Sequence, residues 1–192
     1  NNATTPIAQE SLDALIKECA APVGNPSSIH HFGQAAKKRL QNYRNTIANY
    51  LAVPSDQIIF TSGGTESMNL LIYGMLENKL NTHVITSDVE HACIYNNLTM
   101  LQKRGTRVSF LQAGLHGAVH PDQIEKAILP STRMIILSAV NSETGVKTDI
   151  DAIAQIAKKN DIAFIIDAVA LLGKEVFSIP SGVSAMGFSG HK

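Results

Sequence analysis

The chain has 192 residues, of which 44% are hydrophobic, so it is long enough for one large domain or slightly more with a real core. Its 16 lysines and arginines balance its 16 aspartates and glutamates, which excludes a sequence-wide attraction to nucleic acid or to an anionic membrane. No apolar stretch approaches the length of a transmembrane helix. The two distant cysteines, Cys19 and Cys93, predict neither a metal site nor a disulfide, and they favour a reducing, cytoplasmic setting.

The first part of the chain carries two helical patterns ahead of any strand. They cover residues 8–19 and 34–50, and the turn-forming sequence Gly24-Asn25-Pro26-Ser27-Ser28 separates them. We therefore predict an N-terminal helical arm over residues 1–52, followed by a large domain over residues 53–192.

Beyond the arm, short apolar runs typical of buried strands alternate with amphipathic segments typical of helices. The six predicted strands cover residues 58–61, 84–86, 108–111, 134–140, 164–166 and 183–188. The four predicted helices cover residues 67–76, 89–102, 121–129 and 150–159, the last with Asp149 as its N-cap. This alternation predicts an α/β fold with a mainly parallel sheet that is flanked by helices in three layers. Ligands in such folds bind beyond the carboxyl ends of the strands.

Three loops at this predicted edge carry uncharged or weakly basic groups that suit a ligand. Gly64 and Thr65 follow a strand and open a helix, so their backbone and hydroxyl groups can bind a phosphate. His91 can stack on an aromatic ring or move protons near neutral pH, and Asn141 offers an amide donor. Each also has an ordinary explanation: a glycine turn, a histidine at a helix N-terminus, and a turn residue.

Two charged side chains complete the set. Asp167 ends an apolar strand, where a carboxylate has to be paired or solvated. A pyridinium N–H of a ligand is one suitable partner, and the ordinary alternative is that Asp167 caps the following helix. Lys192 follows Ser189-Gly190-His191, and its amine can hold an aldehyde covalently, although most lysines are merely exposed. Together the loops offer a phosphate cradle, a stacking ring, an amide, an acid and an amine. This is the set of groups that pyridoxal phosphate needs.

The chain resembles the cysteine desulfurases of the class V, fold type I aminotransferase superfamily. The matching stretches run in order over the full length and are Asn1-Asn2-Ala3-Thr4-Thr5-Pro6, Gly24-Asn25-Pro26-Ser27-Ser28-Ile29-His30, Thr61-Ser62-Gly63-Gly64-Thr65-Glu66-Ser67, Glu90-His91, Asn141-Ser142-Glu143-Thr144-Gly145, Asp167-Ala168-Val169 and Ser189-Gly190-His191-Lys192.

This resemblance implies a role for each loop residue. Lys192 would hold pyridoxal phosphate on its amine and, once freed, act as the base at the substrate Cα. His91 would stack on the ring and assist proton transfer. Asp167 would pair with the pyridine nitrogen, and Asn141 would contact the ring oxygen or the substrate carboxylate. The phosphate-binding residues would be Gly64, Thr65, Ser189 and His191.

The resemblance also implies a reaction and its partners. The reaction would convert L-cysteine to L-alanine and pass the sulfur as a persulfide for iron–sulfur cluster or related biosynthesis. The implied partners are a sulfur-acceptor or scaffold protein and a second copy of the chain, since the family completes its site across a homodimer. The persulfide-forming cysteine and the small domain would lie beyond Lys192. We therefore expect residues 53–192 to form an incomplete cofactor-binding domain, the chain to be trimmed at both ends, and this fragment alone to be inactive.

Two positions depart from the family pattern. Ala170 stands where the family usually has a glutamine that contacts the ring oxygen, and Ser142 replaces an asparagine. Neither Cys19 nor Cys93 matches the position of the persulfide-forming cysteine. Ala170 leaves two alternatives open, namely another class V enzyme (a selenocysteine lyase or an aminotransferase) and a non-catalytic paralogue that acts by protein binding.

Overall fold

The computed structural model describes residues 5–76, 81–114 and 117–191, and these divide into two compact units. One unit is Pro6–Phe60. The other comprises residues 61–191 together with Thr5.

The unit Pro6–Phe60 is helical. Its elements are α1 (Gln9–Cys19), α2 (His31–Leu51) and a 3₁₀ helix (Ser55–Gln57). Both predicted helices are confirmed, and α2 begins earlier than predicted because the His30 ring accepts a hydrogen bond from the backbone N–H of Gly33 at 3.3 Å.

The predicted strand over residues 58–61 is wrong. Arg44 Nε donates to the carbonyl of Ile58 at 3.1 Å, and the guanidinium lies 5.1 Å from the centroid of the Phe60 ring. Ile59 is 71% exposed. The apolar run therefore has the composition of a strand, but the Ile58 carbonyl accepts its hydrogen bond from an arginine side chain and not from a neighbouring strand.

The second unit contains a parallel sheet of five strands. These are β1 (His83–Ser87), β2 (Arg107–Leu111), β3 (Thr132–Ser138), β4 (Ala163–Asp167) and β5 (Val183–Gly187). Their order in the sheet is β2-β1-β3-β4-β5, and every neighbouring pair is parallel. The other five predicted strands are thus confirmed. The third of these ends at Ser138, because Val140 has left the sheet and forms an isolated bridge to Lys147.

Four helices accompany the strands of this unit: one precedes β1, and the other three connect β1 to β2, β2 to β3 and β3 to β4. They are α3 (Gly64–Leu76), α4 (Ala92–Lys103), α5 (Pro121–Ala127) and α6 (Ile150–Lys159). All four predicted helices are confirmed. Asp149 caps α6 as predicted, since its Oδ1 accepts from the N–H of Ala152 at 3.0 Å. Helix α4 begins later than predicted because His91 serves as its N-cap.

The sheet separates two apolar layers. Strand β3 points Met134 and Ile136 toward α3 and α4, and it points Ile135 and Leu137 toward α5 and α6. All four side chains are fully buried, as expected for a parallel sheet that is covered on both faces. The predicted three-layer α/β architecture is therefore confirmed. Within the described residues, no helix combines the length and hydropathy that crossing a membrane requires.

Candidate cofactor site

A cavity of about 460 Å³ lies at the carboxyl edge of the sheet, in the size range of small-molecule sites. The structure brings seven of the eight predicted site residues into its lining: Gly64, Thr65, His91, Asn141, Asp167, Ser189 and His191. The eighth, Lys192, lies outside the described residues. Because each loop follows a different strand or opens a different helix, the fold itself gathers these residues.

The N-terminus of α3 forms one end of the cavity. Its first turn starts with the bond from Ser67 N–H to the carbonyl of Gly63 at 3.0 Å. A Cβ added at Gly64 would lie 2.7 Å from Cγ2 of Val169, so only glycine fits at this position without movement. N–H groups at the start of a helix lack partners within the helix and carry its positive dipole. This end of the cavity therefore suits a phosphate.

The loop after β5 contributes further hydrogen-bonding groups to the cavity. The Ser189 hydroxyl and the Nδ1 atom of His191 lie 2.6 Å apart. The carbonyl of His191 accepts from the Thr5 hydroxyl at 3.4 Å, which ties this loop to the start of the same unit. A hydroxyl and an imidazole are both groups that bind phosphate oxygens.

His91 lines the cavity from the N-terminus of α4. Its Nδ1 atom accepts from the backbone N–H of Cys93 at 3.2 Å and lies 3.0 Å from the Cys93 sulfur. Since Nδ1 accepts a hydrogen bond, a neutral His91 holds its proton on Nε2. The helix-capping role and the position in the cavity are therefore compatible, and capping fixes the tautomer.

Asn141 forms a turn and also faces the cavity. Its Oδ1 atom accepts from the N–H groups of Glu143 at 2.9 Å and Thr144 at 3.0 Å. Its Nδ2 atom donates to the carbonyl of Val89 at 3.1 Å. These bonds orient the amide, and its NH₂ group has a second hydrogen with which to meet a ligand.

Asp167 is the most buried acid in the lining, with 7% of its surface exposed. It ends β4 between Ser138 of β3 and Gly187 of β5. Its Oδ1 atom accepts from the N–H of Val169 at 3.0 Å, which shapes the turn that follows the strand. A carboxylate in this position suits a cationic N–H of a ligand.

Two lining residues were missed as site residues by the sequence reasoning. Burial raises the pKa of Glu90, and the charge of Asp167 adds to that rise, while hydrogen bonds from Ser138 and Ser87 oppose it. Burial raises the pKa of the Cys93 thiol to about 11, so Cys93 is a neutral thiol near pH 7. Glu90 directly precedes His91, which the sequence analysis predicts as a site residue. Nothing in the sequence shows, however, which residues hydrogen-bond to the carboxylate of Glu90.

Both positions that depart from the family pattern also line the cavity. Ala170 is 6% exposed and presents a methyl group without a hydrogen-bond donor. Ser142 lies beside Asn141. The two departures therefore concern the cavity itself, where Ala170 offers no side-chain donor.

Comparison with known proteins shows the family. The aminotransferase class-V family matches residues 1–192. Cysteine desulfurase IscS of Dictyoglomus turgidum is 38% identical over 194 residues, covering 99% of this chain and 49% of that protein. Cysteine desulfurase IscS of Methanosarcina thermophila is 34% identical over 195 residues, covering 100% of this chain and 48% of that protein.

Solved structures give the same fold. SspA in complex with cysteine superposes with a TM-score of 0.92 at 31% identity, covering 99% of this chain and 56% of that one. DndA from Streptomyces lividans superposes with a TM-score of 0.85 at 32% identity, covering 99% of this chain and 54% of that one.

The parallel, helix-flanked sheet with a cavity at its carboxyl edge defines an α/β protein. The chain belongs to the aminotransferase class-V family, and its cofactor is pyridoxal phosphate. The described residues fit this group, because a helix N-terminus, which favours negative charge, and a buried carboxylate lie in the lining of one cavity. The chain spans about half the length of the curated relatives it matches.

Proposed function

We propose that the full-length protein is a pyridoxal-phosphate-dependent cysteine desulfurase. The observation that carries this proposal is the cavity that gathers Gly64, His91, Asn141, Asp167 and Ser189 from separate loops. The similarity over the whole chain to proteins named cysteine desulfurase supports the substrate. The reaction breaks the C–S bond of L-cysteine, passes the sulfur to an enzyme thiol as a persulfide, and leaves L-alanine after proton addition at Cβ.

Each described residue has a separate task in this proposal. Gly64, Thr65, Ser189 and His191 bind the phosphate, and Asp167 keeps the pyridine nitrogen protonated. His91 stacks on the ring and holds a transferable proton on Nε2, and Asn141 donates its second amide hydrogen to the ring oxygen or the substrate carboxylate. When bound, pyridoxal phosphate supplies an electron sink for negative charge that develops at the substrate Cα.

Lys192 is proposed as the covalent anchor and as the base that removes the Cα proton. A lysine amine accepts a proton only when it is neutral, which requires a pKa lowered by desolvation or by a nearby positive charge. Its position in the sequence, directly after His191, supports the assignment.

The proposal extends to the whole protein. A sulfur-acceptor or scaffold protein receives the persulfide sulfur for iron–sulfur cluster or related biosynthesis, and the protein acts as a cytoplasmic homodimer. Residues 1–52 serve as an arm, and residues 53–192 serve as the cofactor-binding part. The names of the relatives support the reaction.

One observation favours a second candidate. Ala170 leaves the cavity without the glutamine that the resemblance leads us to expect, so another class V reaction, such as selenocysteine lysis or transamination, is the alternative. A different donor set around the ring oxygen changes how readily the cofactor accepts electrons.

The test uses full-length protein loaded with pyridoxal phosphate. With L-cysteine and a reductant, we expect equal amounts of L-alanine and sulfide, and we expect neither from Lys192→Ala. L-selenocysteine and an amino acid with a 2-oxo acid acceptor are compared at equal concentration. Turnover of either alternative without alanine formation from L-cysteine would overturn the desulfurase assignment.

A further inference from the structure

Glu90 is an acid in the cavity to which the tasks above give no part. Its Oε1 atom accepts from the Ser87 hydroxyl at 2.6 Å. Its Oε2 atom accepts from the backbone N–H of Ser138 at 2.8 Å and from the Ser138 hydroxyl at 2.6 Å. Ser87 ends β1 and Ser138 ends β3, and these strands are neighbours in the sheet. The carboxylate therefore ties two strand ends together.

Further hydrogen bonds fix the backbone between Ser87 and His91, the segment that contains Glu90. The N–H of Val89 donates to the Ser87 hydroxyl at 3.3 Å. The carbonyl of Val89 accepts from the amide of Asn141 at 3.1 Å, and His91 follows Glu90 directly and caps α4. Two proposed cofactor contacts, His91 and Asn141, are thus attached to a segment that Glu90 holds.

Two substitutions can distinguish the hydrogen bonds of Glu90 from its charge. The side-chain carbonyl of a glutamine can accept from both donors of Ser138, and its NH₂ group can donate to the Ser87 hydroxyl. An alanine leaves the partly buried donors of Ser138 without this acceptor. A role in geometry is therefore retained by glutamine and lost with alanine.

We propose that Glu90 is a positioning residue for the cofactor, whose hydrogen bonds to Ser87 and Ser138 hold His91 and Asn141 where they meet the cofactor ring. This rests on the proposed cofactor site, but not on the identity of the substrate. Glu90 acts through the segment that it holds, and it does not itself have to contact the cofactor.

The test compares Glu90→Ala with Glu90→Gln in the full-length protein. Visible absorbance gives the dissociation constant of pyridoxal phosphate, and visible circular dichroism reports the asymmetric surroundings of the bound ring. Glu90→Ala should weaken binding about tenfold or more and reduce the dichroism per bound cofactor. Glu90→Gln should stay within about threefold of wild type with unchanged dichroism.

Asp88→Ala is the matched control. The Asp88 side chain is exposed and accepts from the N–H of Ala113 at 3.0 Å, so it also holds backbone after β1, but outside the cavity lining. Its loss should leave cofactor affinity and dichroism unchanged. If Glu90→Ala does not fold, Ser138→Ala, which removes only the hydroxyl donor, should reduce the dichroism in the same direction.

Several outcomes overturn the proposal. The first is wild-type cofactor affinity and dichroism in Glu90→Ala or, if that variant does not fold, in Ser138→Ala. The others are a loss of affinity and dichroism in Asp88→Ala, or in Glu90→Gln, that equals the loss in Glu90→Ala. A wild-type protein that binds no pyridoxal phosphate overturns the proposed function as well. A wild-type protein with normal binding and an unaffected Glu90→Ala overturns the role of Glu90 alone.

Discussion

Replacing Gly64 with alanine places a methyl group where the turn after β4 approaches α3. The added Cβ would lie 2.7 Å from Cγ2 of Val169. That is about 1 Å short of the roughly 3.5–4.0 Å separation at which carbon atoms are in favourable contact. Valine has a stiff χ1 angle, and its N–H is bonded to Asp167 Oδ1 at 3.0 Å, so relief requires moving either α3 or the turn beside Asp167.

The expected cost follows from this overlap. Overpacking of this kind destabilises a folded protein by about 1–3 kcal/mol. Either movement also disturbs a cofactor contact. If the free energy of cofactor binding becomes about 1.4 kcal/mol less favourable, the dissociation constant of pyridoxal phosphate rises about tenfold. Urea unfolding of the full-length protein and a cofactor titration by visible absorbance measure the two effects.

Two further variants control this experiment. Gly74 lies in the same helix with nothing within 4 Å of an added Cβ, so Gly74→Ala should stabilise the protein by about 0.5–1 kcal/mol without affecting the cofactor. Val169→Ala in the Gly64→Ala background should restore binding, with a coupling energy of about 0.5–3 kcal/mol. Unchanged stability and binding in Gly64→Ala, or no coupling to Val169, would refute the reasoning.

Three other substitutions or measurements test separate parts of the molecule. Asp167→Asn should lower kcat at least about 100-fold while the cofactor stays bound, and activity assays would contradict this if kcat were unchanged. Burial, aided by the charge of Arg107, lowers the pKa of His83 below 6.5, so protonation favours the unfolded chain and stability is lost as the pH falls through 6.5. The free energy of unfolding should therefore fall more in wild type than in His83→Gln as the pH is lowered from about 7.5 to about 5.5, and equal pH dependence would exclude this contribution. The pKa of Cys93 is raised to about 11, whereas Cys19 is exposed, so iodoacetamide at about pH 8 should label Cys93 at least about tenfold more slowly than Cys19. Peptide mass spectrometry measures both rates, and equal rates would contradict the burial of the Cys93 thiol.

The parallel sheet could be predicted because its local signals agree with its packing. Strand β4 reads as an unbroken apolar run that ends in Asp167, which is what a strand buried on both faces requires. Helix α6 has its predicted bounds because Asp149 supplies a cap and the apolar face repeats at helical spacing. Residues 58–61 carry an equally apolar run, but strand formation needs a partner, and the sequence does not show that Arg44 takes the carbonyl instead.

The candidate site could be predicted where a loop contains its own signal. The glycines at the start of α3, the acid at the end of β4 and the histidine after β1 each stand out by residue type and position. Glu90 could not be assigned in this way, because its partner Ser138 lies 48 residues away and only the pairing of β1 with β3 brings them together. Long-range contacts of this kind come from the topology of the sheet.

Borohydride reduction of the full-length protein loaded with pyridoxal phosphate identifies the amine that holds the cofactor. Reduction makes the attachment of the cofactor to an amine permanent, and peptide mass spectrometry then locates it. We expect one phosphopyridoxyl group per chain on Lys192, and none in Lys192→Ala. A group on any other residue, or no group in a wild-type protein that shows the visible cofactor band, would rule out Lys192 as the covalent anchor.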